Sequence, residues 1–384
     1  MSSYSKIFAL SATLISPFAQ ATTVIPAPPV LENKAFVLMD YDSGKILAES
    51  NAHGHLAPAS LTKMMTSFLV EQRLLKGQLK EDDQVLMSQN AWCRGTSKES
   101  CMYVPLNSYA SVLDMLRGII IQSGNDASKA VAEHLAGSET AFAELMNGEA
   151  KHLGMKNTQF KNVTGLTEDG HYTSAYDMAL LAHAIIKDSS KYYPIYSEKE
   201  FTYNNIKQGN RNALLFTDPT VDGLKTGHTD AAGYCLTASS KRGSMRLISV
   251  VMGANSMQAR ADQTRALFNW GFSNFESAQI RPKGQELAKP VVWFGQGESV
   301  SVGLANDMNV SLARGQKDRL QISIQVPSSL DAPIKQGQEV GKIIATLDGK
   351  TVGEQALVAL QPVEQAGFFT RVWHGIKRFF ANLF

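Results

Sequence analysis

The sequence has little that would mark a metalloprotein, a nucleotide-binding enzyme or a nucleic-acid partner. Only three cysteines occur among 384 residues, and no C-x-x-C pair or His/Cys cluster has metal-ligand spacing. No glycine-rich phosphate loop is present, so neither a metal nor a cofactor is implied. Lysine plus arginine number 37 against 35 acidic residues, and the net charge of +2 lacks the basic footprint of a nucleic-acid binder. Repeats and low-complexity tracts are missing too. What is there is the composition of a soluble globular protein, long enough for one large domain and a smaller one.

The chain opens with "MSSYSKIFALSATLISPFAQA". One lysine, an apolar run over residues 7–18 and the small-x-small ending Ala19-Gln20-Ala21 read as a secretory signal, residues 1–21, cleaved after Ala21. The run is too short to span a bilayer, and a proline-rich linker, residues 22–34, follows it. The mature protein then works outside the cytoplasm. In an oxidising compartment Cys93 and Cys101, which flank the turn-rich "CRGTSKESC", are candidates for a disulfide. Closing so short a loop is worth roughly 2–3 kcal/mol on the chain-entropy model. Two free thiols are the alternative. Cys235 lies in an apolar, strand-like run and is expected to be free.

Beyond the linker, "AFVLMDYDSGKILAES" reads as a hairpin about Asp42-Ser43-Gly44. A helix follows in "PASLTKMMTSFLV", where Leu61, Met64, Met65, Phe68 and Leu69 form an apolar stripe. Residues 112–121 are mostly apolar, and "QSGNDASKAVAEHLAG" starts a helix that stops at Gly137. Ser138 opens another, ending at Gly154, and a capping box from Ser174 to Asp177 opens the next. Strand signals return in "VDGLKTGH", "GYCLTASS" and "MRLISVVMG", before helical signal over residues 260–270. Hairpin, helices, then consecutive strands predict an α/β catalytic domain over residues 35–274, an antiparallel sheet closed by its chain ends and covered by helices. Alternation in "RLQISIQV" and a hairpin about Asp348-Gly349 predict a small all-β domain over residues 275–366.

Ser60 and Lys63 stand three apart at a helix start, so they are neighbours. A serine there is most often a cap, and alone the pair says little. Ser123-Gly124-Asn125 interrupts an apolar region at a helix junction, and again capping accounts for it. Lys225-Thr226-Gly227 lies in a strand, where a glycine lets a ligand approach the backbone. The three together, in this order, are more specific. S-x-x-K, an S-D-N element, here in its Ser-Gly-Asn form, and K-T-G are shared by class A β-lactamases and penicillin-binding proteins. With the flanks "SGNDA" and "VDGLKTGHTDAAGY", the sequence resembles the serine-type D-alanyl-D-alanine carboxypeptidases, the low-molecular-mass penicillin-binding proteins, over nearly its whole length.

That resemblance implies a transpeptidase-like fold and removal of the terminal D-alanine from peptidoglycan peptide stems, with β-lactams as covalent inhibitors. It implies Ser60 as nucleophile, Lys63 as its base, and Ser123 as the relay of a proton to the leaving amine. It places Asn125 on the substrate amide, the amides of Ser60 and His228 in the oxyanion hole, and Thr226 and Arg260 on the substrate carboxylate. Chemistry adds that Lys63 must be partly neutral, which burial or a nearby cation such as Lys225 would bring about. A class A β-lactamase would need a glutamate-bearing loop before K-T-G. No E-x-x-L-N is present. A non-catalytic wall-binding protein working through its β domain is the other alternative, disfavoured by the intact Ser60 and Lys63.

The tail, residues 367–384, reads "GFFTRVWHGIKRFFANLF". Its aromatic and aliphatic residues recur at three- and four-residue spacing, and Arg371, His374, Lys377 and Arg378 take the other face. Permanent cations in mid-segment disfavour a spanning helix. The pattern predicts an amphipathic helix on the outer surface of the inner membrane, its basic face toward anionic head groups.

Overall fold

The computed structural model describes residues 25–94 and 99–381. The signal-like segment 1–21 lies outside them. Strands β1 (Ala35–Asp40) and β2 (Ile46–Ser50) form the expected hairpin, and β3 (Val221–Thr229), β4 (Gly233–Arg242) and β5 (Met245–Ala254) follow much later in the chain. They make one antiparallel sheet in the order β2-β1-β5-β4-β3. The first strand pairs with the last, from Ala35 opposite Met252 to Asp40 opposite Leu247, so the domain's two chain ends close its centre. β3, which carries the third motif, is an edge strand.

Alternation along β1 divides the core. Ala35, Val37 and Met39 pack under α1 (Lys63–Leu75), α2 (Val112–Ile120), α3 (Asn125–Ala136), α4 (Glu139–His152) and α5 (Ala175–Asp188). Phe36 and Leu38 face the opposite side, against Leu267, Phe268 and Phe272 of α6 (Met257–Asn274). Serine hydroxyls start most of these helices: Ser111, Ser138, Ser174 and Ser256 each accept a bond from the backbone N–H three residues on. The box expected at Ser174 is half formed, because the Asp177 carboxylate turns away to accept from Asn157 N and Thr158 Oγ1, each at 2.7 Å. Ser60 caps nothing. It sits in a 3-10 turn, Ala59–Thr62, and α1 begins only at Lys63.

At Phe275 the chain passes from α6 into a second, all-β unit. β6 (Phe275–Arg281) pairs with β10 (Met308–Ala313). A five-stranded sheet runs β7 (Glu286–Ala288), β9 (Val302–Leu304), β14 (Lys350–Ala359), β13 (Glu339–Leu347), β11 (Leu320–Gln325), and short β8 (Val291–Trp293) pairs with β12 (Ser329–Asp331). Asp348 and Gly349, at φ 50° and 77°, make the left-handed turn of the β13–β14 hairpin. β11 alternates as expected, but as an edge strand it leaves Ile324 40 % exposed. The two units are latched: buried Asp40 Oδ2 accepts from Ser43 Oγ and Ser311 Oγ, each at 2.5 Å, and Lys45 Nζ donates to Ser311 O at 3.2 Å. The chain then forms α7 (Phe368–Ala381). No helix among the described residues is long and apolar enough to cross a membrane.

Candidate active site

The turn that carries Ser60 is wedged between two glycines. Ala59 takes φ 47°, which lifts Ser60 out of the helix that follows. A Cβ on Gly165 would collide with the Ala59 carbonyl, and one on Gly227 would come within 3.1–3.2 Å of Ala59 Cβ, Leu61 N and Pro58 O. Gly227 is therefore needed first for the turn carrying Ser60 to approach β3. Gly227 also lines the cleft beside Ser60, so this close packing stands beside the expectation that a ligand approaches its backbone.

Lys63, the first residue of α1, is 1 % exposed. Its Nζ donates to Ser60 Oγ at 3.2 Å and to Thr164 O at 2.6 Å. Burial lowers its pKa to about 7, with the Arg211 charge adding to the effect. The cation expected to assist was Lys225. Arg211 takes that place, because its charge acts on Lys63 while Lys225 is itself depressed by burial and by Lys63, Arg211 and Arg260.

Ser123 lies between α2 and α3 at φ 60°. Its Oγ accepts from Lys225 Nζ at 2.9 Å, and Lys225 also donates to Thr226 O at 3.0 Å. Asn125 N donates to Ser100 O at 2.7 Å, and Asn125 Nδ2 to Glu99 Oε2 at 3.2 Å. Next to it, the buried Asp126 carboxylate accepts from Met102 N and Tyr103 N, each at 2.8 Å. Residues 100–103 are thus laced across the second motif. The same segment is held by a disulfide between Cys93 and Cys101, whose Cα atoms are 6.1 Å apart. Cys235 is free and buried, opposite Gly227 in the sheet, and burial pushes its thiol up to about 11.

A cleft of about 460 Å³ opens over these groups, lined by Ser60, Ser123, Thr226, Gly227, His228 and Arg260. Ser100, Arg211, Tyr234 and Met257 complete it; Ser100 and Tyr234 fall within stretches the sequence marked, the cysteine loop and the third motif's flank, whereas Arg211 and Met257 do not. Arg211 sits in "QGNRNA", a polar loop like many others. Arg260 Nη1 donates to Gly227 O at 3.2 Å and Nη2 to Arg211 O at 3.4 Å. Its guanidinium lies 5.7 Å from the Tyr234 ring, which stacks on His228 at 4.0 Å. Burial brings Arg260 down to about 10, so it stays charged at neutral pH. Among the described residues no carboxylate lines the cleft. It is built for an anion beside a serine whose proton has a basic acceptor.

A serine–lysine pair under an edge strand, with a second serine–lysine pair opposite, defines a serine acyl-transfer enzyme of the transpeptidase-like fold. The comparisons agree. Residues 22–256 match the family described as D-alanyl-D-alanine carboxypeptidase, and residues 275–365 match the C-terminal domain of penicillin-binding protein 5. D-alanyl-D-alanine carboxypeptidase DacA of Escherichia coli K12 is 43% identical over 99% of this chain and 97% of its own. Penicillin-binding protein 5 of Haemophilus influenzae superposes with a TM-score of 0.83 at 41% identity, over 88% of this chain and all of that one. Penicillin-binding protein D2 of Listeria monocytogenes, in its ampicillin-bound form, gives 0.58 at 31% identity, over 63% of this chain and 98% of that one. The chain belongs to the D-alanyl-D-alanine carboxypeptidase family.

Proposed function

We propose that the protein removes the terminal D-alanine from peptidoglycan stem peptides by way of an acyl-enzyme on Ser60. One observation carries this: Ser60–Lys63 at 3.2 Å and Ser123–Lys225 at 2.9 Å converge on a single cationic cleft. Ser60 Oγ attacks the carbonyl between the two D-alanines, and its proton passes to neutral Lys63 Nζ. Ser123, held by Lys225, donates its proton to the departing amine of D-alanine and is reprotonated with the one that Lys63 took from Ser60, which leaves Lys63 neutral again. Asn125 orients the substrate amide. The amides of Ser60 and His228 stabilise the oxyanion, a contribution commonly worth about 3–4 kcal/mol. Thr226 and Arg260, with Arg211 beside them, bind the terminal carboxylate. Water then releases the shortened peptide. A β-lactam follows the first step and stalls at the ester.

The same reading puts the enzyme in the periplasm after export by residues 1–21, with α7 resting on the inner-membrane surface. The family's domain arrangement, catalytic residues 35–274 and β-rich residues 275–366, fits a catalytic head carried on a stand.

The test is D-alanine release from a peptide ending in D-Ala-D-Ala, run beside labelling with fluorescent penicillin. Wild type is expected to release D-alanine and to hold a long-lived label. Ser60→Ala should lose both while folding normally. Rapid turnover of the penicillin would indicate a lactamase, and residual labelling of Ser60→Ala would exclude Ser60 as nucleophile.

A further inference from the structure

The tail helix is not joined by a slack linker. Val363 and Ile334 exchange both backbone hydrogen bonds at 2.9 Å, and Gln296 N donates to Glu364 O at 2.9 Å. Ala366 N then donates to Phe294 O at 2.8 Å, which leaves Gly367 alone before α7 starts. A second attachment comes from the helix's polar face. Phe294 N donates to His374 Nδ1 at 2.9 Å, and Arg378 Nη1 reaches both oxygens of Asp331, at 2.8 and 3.0 Å. The Arg378 guanidinium also lies 5.8 Å from the Phe294 ring.

Residues 374 and 378 are one helical turn apart, so turning both inward fixes the direction of every other side chain. The apolar side faces out: Phe369 is 86 % exposed, Phe368 66 %, Phe379 64 % and Trp373 55 %. An apolar row of this size on a folded protein marks a surface for a partner. The expectation that the basic face meets head groups is thereby divided. Arg371, His374 and Arg378 turn toward the β domain, whereas Lys377 remains exposed beside the Trp373 ring at 5.5 Å. An aromatic row edged by an outward lysine suits the interface of a bilayer that contains anionic lipid.

We infer that the β domain and α7 form one rigid seat on a lipid bilayer, with Asp331 and Phe294 as the clasp that sets its angle. The inference rests on the membrane reading of α7 given above. A free amphipathic tether would let the enzyme wander within the tether's length. A clasped helix must lie in the interface with its apolar row inward, and this fixes the tilt of the β domain. The Asp40–Ser311 latch passes that tilt to the catalytic domain, so the cleft is held at a set height above the lipid. Asp331 and Phe294 are positioning residues in this scheme and touch neither substrate nor lipid.

The experiment uses the mature chain with a donor dye on Tyr109→Cys, a position 59 % exposed on the catalytic domain. The acceptor sits on head groups of phosphatidylethanolamine–phosphatidylglycerol vesicles, and time-resolved energy transfer reads the distribution of heights. Wild type is expected to sediment with vesicles and to give one narrow distribution. Asp331→Ala should still sediment, with a distribution at least twofold wider. The exchange Asp331→Arg with Arg378→Asp should narrow it again, which a merely misfolded single variant would not explain. A broad wild-type distribution, or a narrow one in Asp331→Ala, overturns the clasp while leaving the membrane reading intact. Wild type that stays in the supernatant overturns the membrane reading, and the inference falls with it.

Discussion

Lys63 Nζ lies 3.2 Å from Ser60 Oγ but makes its shorter hydrogen bond, 2.6 Å, to the Thr164 carbonyl. A carbonyl accepts a hydrogen bond from either form of the amine without stabilising the ammonium as a carboxylate would. The Glu99 and Asp126 carboxylates favour the ammonium, but burial and the Arg211 charge outweigh them and lower the Lys63 pKa to about 7.

Acylation should therefore follow the neutral fraction of Lys63. That fraction grows as pH rises through about 7, so the acylation rate with penicillin should climb between pH 6 and 8 and then level off. Lys63→Arg keeps the charge and removes the base, and should cost on the order of 100-fold or more. Stopped-flow labelling across this range checks both. A profile flat from pH 6 to 8 would mean that Lys63 is not the acceptor.

Arg260 reads the substrate carboxylate in the proposed scheme, yet in the structure it also braces Gly227 O and Arg211 O. Arg260→Ala should impair D-alanine release more than acylation by a penicillin ester that lacks the free carboxylate. Kinetics on the two substrates separate the roles. Equal losses on both would assign Arg260 to bracing alone.

The order of elements was legible because periodicity and caps carry it. Alternation in β1, the apolar stripe of α1 and the glycines that end α3 and α4 each state a local preference that packing then keeps. The motif serines and lysines were legible as a pattern, not as a geometry. Arg211 was not, since a cation brought to the cleft by a loop has no period. Gly227 was found for a partial reason: a sequence shows that a backbone must be approached, and only the fold shows by what. The division of the basic face in α7 was hidden for the same cause. Amphipathic spacing separates faces without saying what each meets.

Reduction of Cys93–Cys101 should lower stability by roughly 2–3 kcal/mol, the value for constraining so short a loop. The effect should also reach the cleft, because Ser100 O receives the Asn125 amide one residue before the disulfide. Mass spectrometry of the unreduced, alkylated protein should find this pair joined and Cys235 as the single free thiol. Denaturation with and without reductant measures the cost. Alkylation of all three cysteines without reductant would refute the pairing.

The last prediction concerns Glu71, two turns along α1 from Lys63 and 0 % exposed. Ser67 lies between them and donates to Lys63 O at 2.9 Å. Tyr196 OH sits 2.8 Å from Ser67 Oγ and donates to Glu71 Oε1 at 2.8 Å, and the Ser189 hydroxyl also acts on the carboxylate. No cation among the described residues is paired with the carboxylate, and burial outweighs the two hydroxyls and raises its pKa to about 7 from 4.5. The folded state thus binds this proton more tightly than the unfolded chain does. The resulting stability is complete below about pH 4.5 and is lost as pH rises through about 7, a change on the order of 3 kcal/mol. Glu71→Gln stays neutral at every pH and keeps an acceptor for Tyr196. It should match wild type near pH 5 and exceed it by most of that amount near pH 8. Urea denaturation of both proteins at the two pH values measures the difference. A difference that does not change between pH 5 and 8 would show that Glu71 is ionised throughout, and that some group outside this chain of hydroxyls holds its charge.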